Sequence, residues 1–172
     1  YLIGQVPPAG SHLAWSESSA VSFCNSVLAA RSNREGGPSA LAAASSGRTA
    51  RFGLHRDENR RATVEVRVRC SLDDLADWGA LGILVGRQVR DGVPLFRGLP
   101  LEGDSTQPQP WTWEKLKALG AAMAASGAVA LYHVEGVTPE ARAGNVLAPD
   151  HRTREIDDLA PGYALLGGGG GP

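Results

Sequence analysis

Residues 15–44 read WSESSAVSFCNSVLAARSNREGGPSALAAA, and the reading of this stretch decides the fold. From Glu17 to Arg31 the apolar residues Ala20, Val21, Cys24, Val27 and Leu28 recur at helical spacing, which predicts an amphipathic helix. Ser16 or Ser18 can cap that helix, with Glu17 near its positive end. Gly36-Gly37 releases the chain from helical dihedrals, and Pro38 suits the first position of a second helix running through Ser39 to Ala44. The turn between them, Ser32-Asn33-Arg34-Glu35-Gly36-Gly37-Pro38, sets an arginine beside the free N–H groups of a helix start. Those are the parts of an anion site. The same spacing fits an ordinary helix–turn–helix corner in which Arg34 pairs with Glu35 or with solvent.

The 172 residues are 42% hydrophobic and 20% charged, with a formal net charge of −1. That is the composition of a soluble globular chain with one core. It gives no electrostatic case for nucleic acid or an anionic membrane. No apolar run nears the ~20 residues needed to span a bilayer, and no signal peptide is visible. Cys24 and Cys70 lie far apart with no C-x-x-C, which points to a reducing, cytoplasmic compartment rather than a disulfide framework. Cys24, on the inward face of the first helix, reads as a small core residue.

Further along, strands are predicted near 52–55, 63–70, 93–96 and 128–134. Helices are predicted over 71–89, 113–126 and 155–166, with another starting at Thr138-Pro139-Glu140. Residues 99–110 and 145–154 read as loops. Val64, Val66 and Val68 alternate with Glu65, Arg67 and Arg69, as in a strand with one wet face. Gly79, Gly82 and Gly86 at helical spacing predict a close packing neighbour. The fold class is therefore α/β: a mixed sheet, partly antiparallel, with flanking helices. Residues 1–166 form one domain, and residues 167–172 a flexible glycine-rich tail.

The run His55-Arg56-Asp57-Glu58-Asn59-Arg60-Arg61 packs titratable groups densely. A histidine among carboxylates can shuttle protons, and the same run fits a solvated charged loop. His12 precedes the first helix and can line the site at the turn, although a surface-loop histidine fits there too. His133 and Glu135 close the last predicted strand, at the end where α/β proteins place ligands, although a structural histidine fits there too.

Five segments resemble the aconitase X family in the same order: YLIGQ (1–5), the stretch from Trp15 to Thr49, FGLHRDENRRATVEV (52–66), DWGALGILVGRQV (77–89) and LKALGAAMAASGAVALYHVEGVTPEA (116–141). The resemblance implies part of an aconitase-like three-layer α/β/α catalytic domain. It implies an iron- or iron–sulfur-dependent hydro-lyase that dehydrates a small hydroxy acid. Bacterial members act on cis-3-hydroxy-L-proline and archaeal members on phosphomevalonate; the Arg-, Ala- and Gly-rich composition leans toward the first. Ser32-Asn33-Arg34 resembles the Ser-Asn-Arg turn whose arginine holds a substrate carboxylate. The resemblance thus implies substrate binding by Asn33 and Arg34, flanked by Ser32 and Glu35, with Ser16, Glu17, Ser18 and Ser19 orienting polar groups at the neighbouring helix start. His12, His55, Glu58 and Asn59 rank second, and no catalytic residue is assigned.

A cluster needs several thiolates. With only Cys24 and Cys70 present, its cysteine ligands are expected outside this chain, and no metal ligand is assigned within it. Family members are more than twice as long, so the chain reads as an internal piece of the large catalytic unit. Its expected partners are a small carboxylate substrate, the remainder of the large unit, and a small swivelling domain that supplies the base. The reading from a different class is a non-catalytic α/β module that binds small carboxylates.

Overall fold

A computed structural model describes residues 6–107 and 110–167. The YLIGQ opening, residues 108 and 109 of the expected 99–110 loop and the tail from 168 onward lie outside the described residues. Four strands form one sheet in the order β3-β2-β1-β4, where β1 is Ala62–Val68, β2 Pro94–Arg97, β3 His133–Val134 and β4 Leu147–Ile156. All three pairings are parallel. The α/β class expected from the sequence is there, but none of these pairings is antiparallel. Each strand returns through a helix: α3 (Leu75–Val89), α4 (Pro110–Ser126) and α5 (Pro139–Ala143). Such crossovers enforce parallel pairing. The remaining helices are α1 (Ser18–Ser26), α2 (Gly37–Ser46) and α6 (Ala160–Gly167).

The main core lies on one face of the sheet. Val66, Val68, Phe96, Val134 and Ile156 meet Trp78, Leu81 and Val85 of α3, Leu116, Leu119 and Met123 of α4, and Phe23, Cys24 and Val27 from α1 and its end. The other face has a smaller cluster, Ala62, Val93, Leu95 and Leu131, covered by Leu54, Ala141 and Val146. Among the described residues this thin cover, not a second rank of long helices, represents the third layer. The supposedly wet side of β1 is not all wet: Glu65 is 4% exposed. Arg97 Nε at 2.6 Å and Arg67 Nη2 at 2.8 Å close over its carboxylate. Burial pushes that carboxyl up, but the two guanidinium groups hold it below its usual value.

Helices α3 and α4 approach closely at two glycines. A Cβ on Gly82 would meet the Leu119 carbonyl and Ala122 Cβ at 2.6 Å, and one on Gly86 would strike Ser126 Oγ and Met123. Gly79 has open space instead. The capping residue of α3 is Asp74, in a reciprocal box with Asp77, so the helix starts four residues after Ser71.

Several expected boundaries move for identifiable reasons. The strand expected over 128–134 shrinks to two residues because α1 side chains take its backbone groups. Ser26 Oγ accepts from Tyr132 N–H at 2.9 Å, and Asn25 Nδ2 donates to the Ala130 carbonyl at 2.9 Å. The expected strand at 52–55 is a 3₁₀ turn, Gly53–His55, with Gly53 at φ 54°. The 145–154 loop is instead the edge strand β4, which buries little between Ala148 and Ile156 and so shows no clear alternation. Helix α1 ends at Ser26 rather than near Arg31, because Ala29 turns left-handed at φ 53°.

Candidate functional site

That left-handed turn builds the site. After Ala29 the chain doubles back along residues 10–13. Gly10 N–H donates to the Ala29 carbonyl at 2.9 Å, Arg31 N–H to Ser11 at 2.8 Å, and Leu13 N–H to Arg31 at 2.8 Å. Buried Asn25 fixes the next residue: Oδ1 accepts from Ser32 N–H and Nδ2 donates to the Ser32 carbonyl, both at 2.8 Å. The backbone of Arg31 and Ser32 is therefore held on both sides. Asn25 was not singled out from the sequence, although a polar residue within a predicted inward helix face was the available signal.

The Ser32–Glu35 turn is braced rather than open. Ser32 is buried; its Oγ accepts from Trp15 N–H at 3.4 Å and donates to the Asn33 carbonyl at 2.9 Å. Asn33 Nδ2 donates to the Phe52 carbonyl at 3.1 Å, and its Oδ1 accepts from Leu54 N–H at 2.8 Å. Those contacts consume the amide and crowd Gly53, where a Cβ would strike Asn33 Oδ1. Glu35 is half-buried, with its N–H on the Trp15 carbonyl at 3.3 Å. Arg34 is exposed and forms no ion pair among the described residues.

At the start of α1 the cap is Glu17, not Ser16 or Ser18. Its carboxylate accepts from Ser19 N–H at 3.0 Å, Ala20 N–H at 2.6 Å and Ser19 Oγ at 2.6 Å, which lowers its pKa. Ser16 is exposed, while Ser18 and Ser19 are half-buried. Glu17 and Ser19 border a small apolar cavity of about 320 Å³ with Trp15, Phe23 and Leu28.

The larger cavity, about 1060 Å³, takes its charged and titratable lining from His12, Arg31, Arg48, Arg51, His55 and Asp57. Ala40, Ala43 and Ala44 of α2 form one wall. Of the twelve residues singled out from the sequence, His12 and His55 line it. Arg34, Asn33 and the 16–19 group do not. Glu58 lies at the surface paired with Arg56, and Asn59 Nδ2 ties back to the Gly53 carbonyl at 3.0 Å.

His12 and His55 stack with ring centroids 5.1 Å apart, and their Nδ1 atoms are 2.8 Å apart. One proton fits between them, so one ring donates and the other accepts. His55 is 5% exposed. Burial and the neighbouring His12 lower its pKa, so it is neutral near pH 7. Thr49 Oγ1 lies 3.5 Å from its other nitrogen.

Behind the cavity runs a chain of charges. Arg31 Nη2 meets Asp57 at 2.5 Å, and its Nη1 lies 3.6 Å from Glu140 Oε1. Glu140 is taken chiefly by Arg60, at 2.6 and 2.9 Å, and Arg60 also donates to the carbonyls of Asn25 at 3.0 Å and Leu54 at 3.2 Å. His133, expected at a ligand-bearing strand end, is buried and bonded to the Arg60 carbonyl at 2.8 Å; Glu135 pairs with Arg97. Burial lowers the His133 pKa.

An iron–sulfur cluster does not fit the residues described. No group of three or more His, Cys, Asp or Glu converges in a metal-binding arrangement among them. Both cysteines are free. Cys24 is fully buried, its thiol directed at the Val21 carbonyl and pushed up to about 12 by burial.

Known proteins match along nearly the whole chain. The model of the aconitase X first domain matches residues 1–58, and that of the aconitase X second domain residues 62–160. Their junction falls at Arg60, whose guanidinium reaches Asn25 and Leu54 on one side and Glu140 on the other. The phosphomevalonate dehydratase large subunit of Methanothermobacter thermautotrophicus is 60% identical over 142 residues, covering 81% of this chain and 33% of that protein. The one from Thermococcus kodakarensis is 54% identical, covering 92% and 39%. The cis-3-hydroxy-L-proline dehydratase of Pseudomonas aeruginosa is 41% identical, covering 82% and 23%. The crystal structure of Thermococcus kodakaraensis aconitase X (holo-form) superposes with a TM-score of 0.80 at 48% identity, over 94% of this chain and 39% of that one. The chain thus spans about a third of the length of the large subunits it matches. Two successive domain matches and a shared fold over almost every residue lead to one conclusion: this chain belongs to the aconitase X family.

Proposed function

We propose that the chain is the substrate-anion-holding part of an aconitase X dehydratase large subunit, and that the substrate is phosphomevalonate. One observation carries the choice of substrate: three arginines, Arg31, Arg48 and Arg51, border a single cavity. A phosphate carries nearly two charges and three acceptor oxygens, and is best held by more than one guanidinium. A lone carboxylate needs only one. The matched phosphomevalonate dehydratase subunits support this, at 38–60% identity against 34–41% for the hydroxyproline enzymes. The composition-based lean toward hydroxyproline has less support.

Elimination of water needs a base at the carbon beside the carboxylate and an acid for the departing hydroxyl. In this reading the arginines hold the anion, and His55, stacked on His12 at the cavity wall, can accept a proton. The cluster, its cysteines and the small subunit belong to parts outside the described residues. Two free cysteines accord with a reducing, cytoplasmic setting.

The test is to assemble the complete large subunit with its small subunit and iron, then compare kcat/KM for the two substrates. Phosphomevalonate is expected to lead by about 10²-fold, the scale of discrimination that paired polar contacts give. A lead for cis-3-hydroxy-L-proline, which the 41%-identical Pseudomonas relative makes the second reading, would overturn it.

A further inference from the structure

We propose that Arg31 is the principal anion receptor of the large cavity, and that Asp57 is a stand-in carboxylate which the incoming anion displaces. The inference rests on the reading of that cavity as the substrate site, and it goes further by naming the group that grips and the group that yields.

Arg31 is better prepared than the other cavity arginines. Its main chain is hydrogen-bonded on both sides by Ser11 and Leu13, and its side chain is only 19% exposed. Arg48 and Arg51 are exposed on the rim. A guanidinium fixed at its root loses less freedom on binding.

Its charge is also incompletely neutralised from within. Glu140 stands behind it at 3.6 Å, but both oxygens of that carboxylate are already hydrogen-bonded to Arg60. Arg31 Nη1 is buried with no hydrogen-bond partner. Glu140 thus fixes the direction of the guanidinium without satisfying it. Among the described residues its one full-strength partner is Asp57, at 2.5 Å, and the Asp57 side chain is 82% exposed. A carboxylate so open to water is held weakly, as exposed ion pairs are. Asp57 occupies the position a substrate phosphate or carboxylate oxygen would take, and it can swing into solvent when one arrives.

The experiment uses the whole chain labelled with ¹⁵N and follows the arginine Nε–H resonances during titration with inorganic phosphate and with phosphomevalonate. The Arg31 resonance should move in both titrations. Asp57→Asn should tighten binding by about two- to fivefold, the worth of an exposed ion pair. Arg31→Gln should weaken it by about tenfold or more, the worth of a charge-assisted hydrogen bond. A merely structural Asp57 would leave affinity unchanged or weaken it on substitution. That outcome overturns the proposal even if Arg31→Gln fails to fold. Shifts confined to Arg48 and Arg51, or no binding at all by the wild-type chain, also overturn it. Turnover of phosphomevalonate by the assembled enzyme is read separately, so the assignment of Arg31 can fail while the dehydratase reading stands.

Discussion

Removing the Glu140 carboxylate should cost this fold more than any surface substitution, because it strands a buried cation. Arg60 is 3% exposed and directs two nitrogens at Glu140. In Glu140→Ala the Asn25 and Leu54 carbonyls remain, but the opposite charge is gone. Breaking a buried pair from one side costs about 3–5 kcal/mol. Glu140 keeps a quarter of its side chain in solvent, so water can partly replace it and the low end, about 3 kcal/mol, is expected. For a chain of this length that lowers Tm by about 6–12 °C. Calorimetry and urea titration followed by circular dichroism measure it. Replacing both partners, as Arg60→Met with Glu140→Leu, should recover most of the loss, since no charge is then left buried. A loss below about 1 kcal/mol in Glu140→Ala would refute the reasoning: Arg60 would then be solvated by other means. The residue joins the regions matched by the two family domains, so the same variant should also loosen Arg31.

Two alanine substitutions one turn apart on α3 should have opposite signs. Gly79→Ala, into open space, should stabilise by about 1 kcal/mol, whereas Gly82→Ala, against the Leu119 carbonyl, should destabilise by about 1–3 kcal/mol; urea midpoints that move the same way contradict the α3–α4 packing. Acidification should destabilise the chain below about pH 6.5. The pKa values of His55 and His133 are both lowered in the fold, so as pH falls the unfolded chain takes up protons that the native state refuses, until the folded values are passed. Urea midpoints at pH 7.5 and 5.5 should show the loss, reduced in His55→Asn; greater stability at pH 5.5 would contradict it. In the assembled enzyme Arg31→Lys should lower kcat/KM by about 10²-fold through loss of the guanidinium fork, and Arg34→Lys by less than about threefold. The reverse ranking would restore the Arg34 role implied by resemblance.

What the sequence made legible was the part governed by local pattern. Val64, Val66 and Val68 of β1 and Gly82 and Gly86 of α3 behave as their spacing demands, whereas Gly79, on the same helix, faces open space. What it concealed depended on long-range contacts. No local signal shows that Ala29 would turn left-handed, or that Asn25 would hold Ser32 seven residues on and Ala130 more than a hundred residues away. The large cavity was legible only as a neighbourhood: Arg31 and α2 border it, and His12 and His55 line it. The side chain aimed inward is Arg31, however, three positions before the expected one. A helix continued past Ser26 would have set Arg31 on the same face as Cys24, Val27 and Leu28, but it stops early and the turn brings Arg31 to the cavity. Asn33, read as a ligand for substrate, spends its amide on the backbone at Phe52 and Leu54.

The α2 helix buries none of its own residues, starts at glycines and ends on Gly47 at φ 65°. A segment with so little to lose can melt and re-form without disturbing the sheet. Its amides should therefore exchange with deuterium through small local openings insensitive to urea, while those of α3 wait for global unfolding. One wall of the cavity is then a labile piece of the fold, and the arrival of a ligand should register there as slowed exchange at Ala40, Ala43 and Ala44.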